Sequence, residues 1–137
     1  MPYYAKIHFV VVHFPIALLV TATLMEWYQN WRHQVGVATS TWLAIGVVGA
    51  WVSVITGILN RNWQLSRGLL DTTELQVLAW RHLLLSISAS AIFTAVLVQK
   101  LIVKGTLPRW SWLLQGAGLV LLVLSTHLGG LLAHGSS

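Results

Sequence analysis

The chain contains no cysteine, and its only methionines are Met1 and Met25. Without thiols there are no disulfides, no thiolate nucleophiles, no iron–sulfur ligation and no covalent haem attachment through a CxxCH motif. Metal chemistry must then rest on histidine and carboxylate. Charge is also scarce: Asp, Glu, Lys and Arg make up 8% of the residues, against about 25% in soluble domains. There are no paired carboxylates, no Ser-His-Asp set and no phosphate loop. Hydrolytic chemistry has no constellation to rest on, so a non-catalytic electron-transfer or accessory role is expected. The net charge of +5 is spread over short loops. That pattern suits Lys and Arg beside lipid headgroups rather than a nucleic-acid surface.

What the chain has is apolar surface. Its 137 residues are 56% hydrophobic, and the mean hydropathy is +0.74. Four apolar runs cover roughly 7–25, 35–59, 74–98 and 109–132, each near the ~20 residues that span a bilayer as a helix. The first run is long for a cleaved signal peptide and is interrupted by His8, His13 and Pro15, so it is expected to be retained. Glu26, Trp27, Tyr28, Trp31 and Arg32 form an aromatic, polar exit from it, as found at membrane interfaces. The expected fold is therefore all-α: a polytopic four-helix bundle, up-down-up-down, forming one domain over 1–137 in a lipid bilayer. Short loops put both termini on the same side. Lys6, Arg61, Arg67 and Arg81 fall on that side, and Arg32, Lys100, Lys104 and Arg109 on the other. This even split sets no orientation by the positive-inside rule.

Local signals add detail. Gly46 with Ala50, and Gly49 with Ser53 and Gly57, are rows of small residues spaced for close helix packing. Thr73-x-x-Gln76 has the form of a capping box after a polar connection at 60–73. Ser86, Ser90 and Thr94 make a polar row. Pro15 should disturb the helix at Val11 and shape a pocket. Gly129-Gly130 should loosen or end the last helix. Trp51 reads as bundle filling. No internal repeat stands out.

The histidines carry the functional argument, because an ionisable group inside a bilayer is costly and marks a candidate site. In the alternating topology His8, His13, His82, His127 and His134 fall at the end that holds the termini, and only His33 falls at the other. His13, His82 and His127 share a depth and are the expected cofactor or metal ligands. His8 and His13 are five residues apart, about 140° around a helix. His13 is therefore read as facing inward and His8 as a residue of the layer behind it or an alternate ligand. Arg81, Arg67 and Arg61 lie at the same end and suit haem propionates or lipid phosphate. Two of the three histidines would hold one b-type haem. A copper or zinc site is the alternative, and a structural accessory subunit is a third reading. His33 alone cannot support a second haem at the opposite leaflet.

The motifs His8, His13-Phe14-Pro15-Ile16-Ala17-Leu18, Thr56-Gly57, His82 and His127-Leu128-Gly129-Gly130 resemble those of a bacterial four-helix membrane family of unknown function. Its members open with HPxxVHFPIAL and close with HLGG. The resemblance spans essentially the whole chain. Phe9 stands where the family has proline, and a short tail with His134 and Gly135 replaces the family's closing tyrosine and histidine. Some members are fused to Rieske-type iron–sulfur domains. The resemblance thus implies a bacterial inner-membrane protein working with a redox partner subunit or a quinone, and it leaves the oligomeric state open.

Overall fold

The structure is a computed structural model that describes residues 3–33, 37–103 and 107–134, with the side chains of 4–6, 9, 37–38 and 134 outside that description. It contains four helices: α1 Tyr3–Trp31, α2 Val37–Ser66, α3 Thr73–Ile102 and α4 Arg109–His134. All four are long and apolar enough to cross a membrane, and the chain is a multi-pass, all-α four-helix bundle. Large apolar side chains such as Val10, Val48, Leu113 and Val123 point outward, as lipid contact requires.

Small residues set the packing. A side chain added at Gly46 would meet Leu19 at 2.9 Å, and one at Gly49 would meet Pro15 at 3.1 Å. These glycines let the α2 backbone close onto α1, as their spacing predicts. α1 pairs most extensively with α2 and α3 with α4, while α2 packs on α3 and α1 touches α4 only slightly. Leu19, Ala22, Leu43, Val47, Ala50, Phe93 and Val96 fill the centre. Contacts between the first part of one helix and the last part of the next establish the up-down-up-down order. His8 meets Thr56, and His82 meets Ser125. At the opposite end of the bundle Glu26 pairs with Lys100, both nearly buried. Ser111 donates to Gln99 Oε1 at 2.6 Å, so α1, α3 and α4 are cross-linked there by polar groups.

Several element ends differ from the sequence expectation. The stretch 60–66 is helical rather than a loop, and α2 runs to Ser66. Nothing in it breaks a helix until Gly68, whose φ of +67° gives a Schellman-type close: Leu69 N–H donates to the Gln64 carbonyl and Gly68 N–H to that of Leu65. The cap of α3 is Thr72, not Thr73. Thr72 is extended and its hydroxyl accepts from Leu75 N–H, while the Gln76 side chain reaches back to the Leu70 carbonyl. α1 runs unbroken through Pro15. α4 continues through Gly129 and Gly130 to His134, so those glycines do not end it. Trp51 is exposed, and its indole donates to Thr94 at 3.0 Å.

Candidate functional site

A cavity of about 440 Å³ opens between the helices at the end where α1 and α3 begin, within the ~300–1,000 Å³ usual for small-molecule and cofactor sites. Its inner wall is apolar, with Leu19, Ala50, Val54, Leu83 and Leu122, and its outer part carries Asn60, Arg61 and Gln64. Pro15 forms part of the wall, in keeping with a pocket shaped near that residue. His8 and His82 both face this space.

Each of these two imidazoles rests on a glycine of the neighbouring helix. A Cβ at Gly57 would meet His8 Cε1 at 3.1 Å, and one at Gly129 would meet His82 Cε1 at 3.0 Å. Only a glycine lets a ring lie this close to the helix backbone. This contact, rather than helix termination, accounts for Gly129.

Hydrogen bonds fix which ring nitrogen carries the proton. His82 Nδ1 lies 2.8 Å from the Ser125 carbonyl. A carbonyl can only accept, so neutral His82 is protonated at Nδ1 and presents the lone pair of Nε2. His8 Nδ1 lies 3.0 Å from Thr56 Oγ1. That hydroxyl's single proton is committed to the carbonyls of Val52 and Ser53, so it accepts from His8. In the Nδ1–H tautomer His8 donates to Thr56, as His82 does to the Ser125 carbonyl. A second hydrogen bond to each imidazole, holding tautomer and orientation, is the usual arrangement of histidines that bind metals.

The two seats correspond. Gly57 on α2 stands to His8 as Gly129 on α4 stands to His82, and a serine lies one turn before each glycine, Ser53 and Ser125. A repeat that does not stand out in the sequence is thus present in geometry: each helical hairpin presents one imidazole from its first helix on a Ser-x-x-x-Gly step of its second.

The expected trio of His13, His82 and His127 does not assemble. His13 is exposed, although it borders the cavity. His127 is exposed on α4 and is not among the cavity's lining residues. Among the described residues, no group of three or more His, Cys, Asp or Glu is placed to hold a metal ion. Shared depth puts these histidines toward the end of the bundle where the cavity opens, but rotation about each helix axis decides what faces inward. On α1 that rotation favours His8 over His13. Arg81 is likewise exposed, and Arg61 is the arginine on the cavity wall. The side chain of His134 lies outside the described residues, and His33, exposed at a φ of +54°, stands beyond the other end of α1.

Ser86 belongs to the site's surround. Its hydroxyl donates to the His82 carbonyl and exchanges a 2.7 Å hydrogen bond with Ser125. Ser90 and Thr94 continue the row by donating to carbonyls one turn back. The Thr56-Gly57 pair and the Ser-x-x-x-Gly step were available in the sequence as pointers to His8 and to Ser125. No family model, curated protein or solved structure matches this chain.

Proposed function

We propose that this chain is a membrane electron-transfer subunit that holds one b-type haem between His8 and His82. The observation that carries the reading is a pair of imidazoles, one from each hairpin, facing one largely apolar cavity, each hydrogen-bonded through Nδ1 to the neighbouring helix. The residues fit the group. The glycines under both rings form cradles that any Cβ would fill, and the apolar wall suits the face of a porphyrin. Haem, when bound, supplies one-electron transfer between ferric and ferrous iron. The chain's own residues orient the two imidazoles through hydrogen bonds from Nδ1 to Thr56 Oγ1 and the Ser125 carbonyl, and exclude water through Leu83, Leu122 and Val54. Zinc sites take at least three protein ligands, so a two-histidine arrangement favours haem over zinc. The electron would pass to or from a quinone or a redox partner subunit in a bacterial inner membrane. The chain's motifs resemble those of a family with Rieske-fused members, which is in keeping with that company.

The test is a visible spectrum of the purified protein, oxidised and reduced, with H8A and H82A beside it. Wild type should show the Soret band and low-spin spectrum of bis-imidazole haem, and each variant should lose or alter it. A wild-type preparation that stays colourless after haem supplementation would sink the reading.

A further inference from the structure

One polar group of this cavity has no task in holding the imidazoles. Asn60 and Arg61 lie one turn beyond Gly57 on α2, and Gln64 follows a turn later. Asn60 is 9% exposed, and its amide oxygen is buried with no hydrogen-bond partner. The Nε of Arg61 is buried and unpartnered as well. An orphaned polar atom in an apolar setting is costly; the Arg61 Nε–H calls for an acceptor, and beside it the Asn60 amide can turn its NH₂ donors, rather than its oxygen, toward the same acceptor.

The guanidinium is held in place, but not by an acid. Its Cζ lies 4.4 Å from the centroid of the Trp80 ring. Among the described residues, the only ion pair is Lys100 with Glu26 at the far end of the bundle. Stacking of this kind uses the flat face of the guanidinium and leaves its in-plane N–H donors available. Those donors match a carboxylate in geometry and charge. The Asn60 and Gln64 amides each offer a donor and an acceptor beside it.

We propose that Arg61, with Asn60 and Gln64, forms a carboxylate-binding mouth to the cavity, and that it receives an acidic side arm of the planar ligand held between His8 and His82. The inference rests on the haem reading and assigns the propionate subsite to Arg61 rather than to the exposed Arg81. The flat body of the ligand sits against the apolar wall, and its acidic edge points toward the surface at the end of α2. Trp80 keeps the guanidinium from collapsing onto another group when the cavity is empty of an acid.

The experiment titrates the purified apoprotein with haem and with haem dimethyl ester, whose side arms carry no charge. Wild type should bind haem about tenfold or more tightly than the ester, the size of one charge-assisted hydrogen bond. R61Q should lose that preference while keeping the bis-imidazole spectrum, and R81Q should keep it. R61K should retain part of it, since it keeps the charge but not the fork. Equal affinity of wild type for haem and ester would overturn the proposal, and this comparison needs no variant to fold. An R61Q protein that still prefers the acid would overturn it too. Failure of wild type to bind either porphyrin would be a different result, removing the haem reading and this inference together.

Discussion

His8 and His82 differ from the other histidines in having both a hydrogen-bond acceptor and a glycine seat. Substitution under the ring should therefore displace the ring without removing it. In G129A the new methyl would sit 3.0 Å from His82 Cε1, so the imidazole must move. The expected result is a shifted or partly high-spin spectrum in the haem-loaded protein, and G57A should do the same through His8. H127A and H33A should leave the Soret band unchanged, because neither residue lines the cavity. If H127A removed the band and H8A did not, the ligand assignment would be wrong. Depth along a helix follows from counting residues, which is why the sequence located the histidine end of the bundle. Azimuth does not follow from counting, because it depends on which neighbour each helix face meets. His13 was favoured on depth, and the contact between α1 and α2 turned His8 inward instead.

The helices were legible because each is a long run of apolar residues, and no soluble alternative can bury so much of it. Their ends were less so. The stretch 60–66 reads as polar loop, yet it is helical because no breaker precedes Gly68, and its polar Asn60, Arg61 and Gln64 line the cavity. Gly46 and Gly49 were legible as packing residues, and the structure shows what they admit: Leu19 and Pro15. Adding bulk there should cost stability. G46V is expected to destabilise the protein by about 1–3 kcal/mol, as overpacking usually does, read as a lower midpoint of thermal unfolding in detergent. T72A removes the hydroxyl that caps α3 and should cost about 1 kcal/mol without moving the haem spectrum. A T72A protein as stable as wild type, alongside a destabilised T73A, would place the cap where the sequence pattern had suggested.

At the scale of the molecule, the two ends of the bundle do different things. The end away from the cavity is closed by Glu26 and Lys100, each about a tenth exposed. Removing one partner leaves a buried charge alone, so E26A should cost about 3–5 kcal/mol. The double variant with K100A should recover part of that loss. The up-down-up-down order also predicts that, in a membrane, cysteines placed at Tyr3 and Gly68 are labelled from one side and a cysteine at His33 from the other. Labelling of Tyr3 and Gly68 from opposite faces would contradict it.

The paired imidazoles sit on different hairpins, and this has a mechanical consequence. α1 with α2 and α3 with α4 are each closely joined, whereas the two pairs meet more thinly. A group ligated by His8 on one side and His82 on the other would act as a rivet through that seam. Cofactor loading would then govern whether the two halves stay together. The apoprotein should come apart along the seam before either hairpin unwinds, and two separately produced hairpins, 3–66 and 73–134, should reassemble in detergent only when haem is supplied.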